Sequence, residues 1–194
     1  MQRGLEGRRV ACYVEADAPG DRILRALDQA GAEVQRLQSA GPDEDWHGAK
    51  YAALVLIGGR DGSSAAEPRL AQLVREFLVS DKPLAAFGRA VRVVVGAGGA
   101  AGRSVAADEE IRDAIEQAGA TCVSSAMHVD EALITARESA DPDAFATRVV
   151  REFATRLEEG AVDEMSDLSF PASDPPAVTP ASVGHLRGDR RADG

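Results

Sequence analysis

The chain has no asparagine and just two lysines, Lys50 and Lys82, so nearly all of its positive charge is arginine. That skew, in a chain rich in alanine and glycine, reflects codon composition and excludes no function. Aromatic residues make up only 4%, so a core must be built from Ala, Val, Leu and Ile, and a 44% hydrophobic content is enough to build one. Positive charge is outnumbered: 22 Lys and Arg stand against 32 Asp and Glu, a net charge of −10. An acidic surface repels phosphate backbones, which argues against a nucleic-acid partner. No apolar run approaches the ~20 residues of a membrane span. The opening MQRGLEGRRV lacks the apolar stretch of a signal peptide. A soluble, cytoplasmic protein with no membrane partner is expected. Cysteine is scarce as well. Cys12 and Cys122 lie in apolar strand-like runs, as buried free thiols of a reducing compartment do, whereas a redox role needs an exposed thiolate. His47, His128 and His185 are scattered with no metal-ligand spacing, so no metal or cofactor is expected.

What is present alternates between strand and helix. Strands are predicted over Arg9–Glu15, Ala32–Leu37, Tyr51–Ile57 and Leu84–Phe87, and shorter ones over Thr121–Val123, Met127–Val129 and Leu133–Thr135. Helical spacing of apolar residues covers Asp21–Ala30, Pro68–Ser80, Ala107–Ala118 and Asp141–Leu157. YAALVLI (Tyr51–Ile57) is unbroken, as in a central parallel strand covered on both faces. Trp46 is expected to pack over a sheet edge. The pattern predicts an α/β fold, a doubly wound parallel sheet in a three-layer sandwich. Ligands of such sheets sit outside the carboxyl ends of the strands. Glu15–Asp17, Gly58–Asp61 and Phe87–Arg89 all converge on that rim.

The stretch DKPLAAFGRAVRVVV (Asp81–Val95) carries the most information. It reads as a buried strand that stops at Gly88 and turns into a helix starting near Arg89. A strand–turn–helix elbow is where many enzymes lift a nucleophile clear of the sheet. Gly88 has no side chain to attack with. Glycine also relieves the strained backbone of such a turn, a matter of ~1–3 kcal/mol. Arg89 at the helix start suits a small anionic ligand, or an ion pair with Glu15 or Asp17, and the ion pair is the simpler expectation. Gly58-Gly59 satisfies a tight turn. GAGGAAG (Gly96–Gly102) follows a helix and not a strand, so it reads as a loop and not a dinucleotide site. Asp43-Glu44-Asp45 and Asp108-Glu109-Glu110 read as solvated faces, the second offsetting a helix dipole.

YAALVLIGGRDG resembles the Y-D-A-L-V-L-P-G-G signature of the ThiJ/PfpI family, in the class I glutamine amidotransferase-like superfamily. KPLAAFGRA is similar to that family's K-P-V-A-A-I-C-H-G elbow, and AGGAAGRSV to the A-G-x-L-x-G-R-x-x-T segment after it. QAGATCVSSAMHVDEALITAR and AFATRVVREF resemble its closing segments. The resemblance spans Arg8–Leu157 and implies a flavodoxin-like fold. Its members include intracellular proteases, deglycase or glyoxalase-like hydrolases, chaperones and stress proteins, and most are homodimers or larger homo-oligomers. The resemblance puts the family's nucleophilic cysteine on Gly88 and its following histidine on Arg89. The acid that bonds the cysteine falls near Pro19, with Glu15, Asp17 and Asp21 close by. The family's oxyanion amides fall on Gly58 and Gly59. Large-subunit catalases carry an appended domain of this architecture that also lacks the cysteine.

The expected layout is an N-terminal extension over 1–7, a ThiJ/PfpI-like domain over 8–158, and a proline-rich, disordered tail over 159–194. Within the tail, VDEMSDLSFPASDPP resembles a short box near the ends of small bacterial proteins, and Asp163–Leu168 can form one or two helical turns. The function expected is that of a pseudoenzyme, a non-catalytic homo-oligomeric binding or stress-related accessory module. Glu15, Asp17, Gly58, Gly59, Arg60 and Arg89 form its ligand rim around a vestigial elbow of Phe87, Gly88 and Arg89. One alternative is a hydrolase or glyoxalase/deglycase-like enzyme that uses rim carboxylates with Arg89. Another is partner docking through Phe170 in the tail.

Overall fold

The computed structural model describes residues 4–38, 46–59 and 67–167. Among the described residues eight strands and five α-helices follow one another as β1 (Arg9–Val14), α1 (Gly20–Gln29), β2 (Glu33–Leu37), β3 (Ala53–Ile57), α2 (Pro68–Val79), β4 (Leu84–Phe87), α3 (Val91–Gly96), β5 (Ser104–Ala106), α4 (Arg112–Gln117), β6 (Thr121–Val123), β7 (Met127–Asp130), β8 (Leu133–Ala136) and α5 (Pro142–Asp167).

Six strands form the main sheet in the order β2-β1-β3-β4-β8-β7. All pairs are parallel except β7 with β8, whose short connection through Glu131 makes a hairpin. This is the doubly wound, flavodoxin-like sandwich expected. Side-chain alternation sorts the core into two layers. Ala11, Tyr13, Leu54, Leu56, Leu84 and Ala86 face α2, α3 and α4. Val10, Cys12, Val55, Ile57, Ala85, Phe87 and Ile134 face α1 and α5. Every residue of β3 is buried, so both faces of that strand feed the core. Each such Leu, Ile or Val contributes roughly 1.5–3 kcal/mol by leaving water. Trp46 lies edge-on to Tyr13, 6.2 Å between ring centres, beneath the Arg69 guanidinium at 5.1 Å.

Helix starts follow local chemistry. Asp141 caps α5: its Oδ1 accepts from the Asp143 and Ala144 amides at 2.8 and 3.3 Å, just ahead of Pro142. The Glu67 carboxylate does the same for Arg69 N–H, with Pro68 opening α2.

Three elements differ from the sequence expectation. β5 is a strand where none was predicted; it pairs in parallel with β6 as a separate two-stranded sheet. Its short run is held from the side, because Ala106 N–H donates to the buried Thr135 Oγ1 at 2.8 Å and Ser104 N–H donates to Asp130 Oδ2 at 2.6 Å. The helix expected over Ala107–Ala118 starts later, as one 3-10 turn (Glu109–Ile111) running into α4, because Ala107 is buried and Asp108 stays extended. α5 does not stop at Leu157 but continues through Gly160 to Asp167. The rest of the expected tail, with Phe170 and the SFPASDPP box, lies outside the described residues, as do Arg60, Asp61, Asp43-Glu44-Asp45 and His185. Among the described residues no helix is long and apolar enough to cross a membrane.

Candidate functional site at the elbow

Register brings the site together. Val14 pairs with Ile57, Ile57 with Phe87, and Phe87 with Ala136. Four strands therefore end level with one another, and the next residues of each stand side by side at the rim: Glu15, Gly58 and Gly88, all buried, and Arg137, half-buried.

At Gly88 the chain turns with φ +61°, the left-handed region where a side chain is strained. The elbow geometry persists with no side chain on it. A Cβ built there would sit 3.3 Å from the Gly58 carbonyl oxygen and 3.6 Å from Glu138 Cα, which is tight but not blocked. A 3-10 turn, Gly88–Ala90, follows, and then α3, which has only six residues. The α-helix proper thus begins at Val91, two residues after the expected start near Arg89, because the chain first makes the 3-10 turn.

Gly58 and Gly59 are glycine for a reason beyond the turn. A Cβ on Gly58 would strike the backbone of Arg89 and Ala90, and one on Gly59 would strike the Ala16 carbonyl oxygen. Both amides are already engaged. Gly58 N–H donates to Phe87 O at 3.0 Å, and Gly59 N–H donates to Glu15 Oε2 at 2.6 Å. Glu15 is only 6% exposed, and its own N–H donates to Ile57 O at 2.9 Å. Its carboxylate thus occupies the Gly59 amide donor at the rim.

Arg89 does not pair with Glu15 or Asp17. Its guanidinium turns the other way, toward Glu110 at 3.2 Å and Glu138 at 3.6 Å. Asp17 is exposed at φ +60°. The expected rim is therefore divided: Glu15, Gly58, Gly59 and Gly88 meet, Arg89 faces away from them, and Asp17 stands in solvent.

The side to which Arg89 turns holds a cavity of about 470 Å³, lined by Arg89, Arg92, Asp108, Glu109, Glu110, Ile111, Glu138 and Ser139. Sequence reasoning placed Asp108-Glu109-Glu110 on a solvated face and passed over Arg92 and Glu138. Their convergence depends on where β5 and β8 end, and no local pattern announces it. Glu109 is held by Arg112 through two contacts, 2.7 Å to Oε1 and 2.9 Å to Oε2. That bond holds the Glu109 carboxyl below its usual range and the Arg112 guanidinium above its own.

Neither cysteine reaches the rim. Cys12 is buried in β1, and desolvation pushes its thiol up to about 12. Cys122 is half-buried on β6, with Sγ 4.0 Å from Ala107 O. Both are free thiols. His128 lies half-buried on β7, and His47 lies 3.9 Å from the Glu76 carboxylate, remote from the elbow. Among the described residues no group of His, Cys, Asp and Glu is arranged to hold a metal ion.

The fold recurs in solved structures. A two-domain protein from Anabaena variabilis, with DJ-1/ThiJ/PfpI-like and ferritin-like domains, is 24% identical with a TM-score of 0.66, over 80% of this chain and 49% of that one. This chain thus spans about half the length of that protein. DJ-1 of Schizosaccharomyces pombe is 15% identical with a TM-score of 0.64, over 84% of this chain and all of that one (100%). A putative protease I from Bacteroides thetaiotaomicron is 15% identical with a TM-score of 0.63, over 78% of this chain and 99% of that one. No curated protein matches. The model of the DJ-1/PfpI family matches residues 30–152, well over half of the sequence, and the chain belongs to that family.

Proposed function

We propose that this is a non-catalytic DJ-1/PfpI domain, a homo-oligomeric binding or stress-related accessory module whose working surface is the rim and cavity around Gly88. The observation that carries the reading is Gly88 itself: the left-handed elbow is kept at φ +61° while the side chain that would do chemistry is missing. Two further facts support it. The Gly59 amide is taken by the Glu15 carboxylate, and Cys12 and Cys122 both lie away from the rim. Arg89 is held by Glu110 and Glu138, which counts against an enzyme that uses Arg89 to clamp an anion beside Glu15.

The test is a turnover screen of the purified protein on methylglyoxal, glycated peptides and simple esters. No turnover above background is expected. Turnover that Gly88→Val abolishes overturns the reading. Light scattering on the same sample checks the homo-oligomer, and a monomer at all concentrations removes that part.

A further inference from the structure

The cavity beside the elbow has unmatched charges on its wall. Arg89 is already paired with Glu110 and Glu138. Asp108 accepts one backbone hydrogen bond, from Glu138 N–H to its Oδ2 at 3.0 Å, and has no cation partner among the described residues. Arg92, half-buried on the first turn of α3, makes no ion pair or hydrogen bond among the described residues, and its Nε is shielded from solvent with no acceptor. A partly desolvated guanidinium without a counter-charge is costly, and so is a carboxylate in the same position.

The signs decide what could occupy the space. A plain anion at Arg92 would also face Asp108, Glu110 and Glu138. A plain cation at Asp108 would suit the carboxylates of the wall but would leave the Arg92 guanidinium unmatched. A molecule with both charges meets both unmatched groups and adds no net charge. A cavity of about 470 Å³ is of the size that takes small ligands. Resting on the binding-module reading above, we infer that this cavity binds a small zwitterion of the amino-acid class. Its carboxylate lies on the Arg92 guanidinium, a planar fork suited to that group, and its ammonium lies on Asp108.

The full chain is titrated calorimetrically with glycine, β-alanine and γ-aminobutyrate, which differ in charge separation, and with acetate and methylammonium as single-charge controls. At least one zwitterion should bind about tenfold or more tighter than both controls. Arg92→Gln and Asp108→Asn should each weaken that binding by about tenfold or more, as expected when a charge-assisted contact is lost. Arg22→Gln, on α1, should leave it unchanged. Thermal melts establish that each variant folds. Asp108→Asn is nearly isosteric and serves alone if Arg92→Gln does not fold. The inference is overturned if no zwitterion binds better than the controls, or if binding ignores both wall substitutions. The readout is heat and not turnover. Catalysis by the wild-type protein would therefore refute the non-catalytic reading and leave this one standing, whereas an inert protein that binds no zwitterion would do the reverse.

Discussion

The buried Glu15 carboxylate accepts the Gly59 amide hydrogen at 2.6 Å, and this one bond ties the end of β1 to the turn after β3. The two strands already run side by side up to Val14 and Ile57. Beyond that pair no ladder continues, so a side chain takes over where backbone pairing stops. The same bond uses up a donor at the rim, so the Gly59 amide serves the packing of the two strand ends.

Glu15→Ala should therefore destabilise the protein, because it leaves a buried amide without its acceptor, a loss of about 1–3 kcal/mol. Glu15→Gln keeps an acceptor oxygen and should lose less. Urea unfolding checks both through the midpoint at constant slope. An unchanged midpoint in Glu15→Ala means that the bond does not hold the rim.

Gly88→Cys should fold, at a cost of about 1–2 kcal/mol for a side chain in the left-handed region. Its Cβ meets the Gly58 oxygen at 3.3 Å and nothing closer. Gly88 is itself buried, but its Cβ position has no neighbour closer than 3.3 Å, so a disulfide reagent should still modify the variant faster than the wild type, by one extra group per chain. Gly88→Val should cost more, since a branched side chain tolerates positive φ poorly. If Gly88→Cys shows no new fast thiol, the elbow is covered.

Much of the fold was legible because it rests on local pattern. YAALVLI has no polar position, and a strand with both faces buried needs none. The Gly88 elbow could be placed because strand, glycine and helix follow one another without a gap. β5 was not legible: three residues held by Thr135 and Asp130 from other strands leave no periodic trace. The partners of Arg89 were misjudged for the same reason. Glu15 is closer along the rim as the sequence presents it, but the segments after β5 and β8 bring Glu110 and Glu138 to the opposite side. Proline and glycine after Leu157 suggested a stop, yet a helix already docked by Phe145, Val149 and Phe153 runs through Gly160.

Gly59→Ala and Gly58→Ala should each be severely destabilising, on the order of 2 kcal/mol or more, because the clash is with backbone and no side chain can yield. The added methyl would meet the Ala16 carbonyl in one case and the Arg89–Ala90 backbone in the other. Gly96→Ala is the control. Nothing lies within 4 Å of its Cβ position, and it ends α3 without positive φ. That substitution should be neutral or slightly stabilising, because alanine has fewer unfolded conformations to lose. Melting temperatures of the three variants check the contrast, and equal effects would mean that close approach is not what selects glycine at the rim.

Cys12 gives a pH dependence whose sign is fixed. Burial raises its thiol from 9.0 to about 12, so the folded protein keeps the proton where the unfolded chain has lost it. Between those values the unfolded state binds fewer protons than the native state, and stability falls as pH rises. The contribution is complete below pH 9.0 and is lost on the way to about 12. Cys12→Ala removes the titrating group at the cost of a small cavity, which lowers stability by an amount independent of pH. The gap between wild type and Cys12→Ala should therefore be constant up to pH 9.0 and then close as the wild type loses ground. Urea unfolding of both proteins at stepped pH measures it. A gap that stays constant into strong alkali would mean that the thiol ionises as freely in the folded protein as in the unfolded chain, which is incompatible with its place in β1.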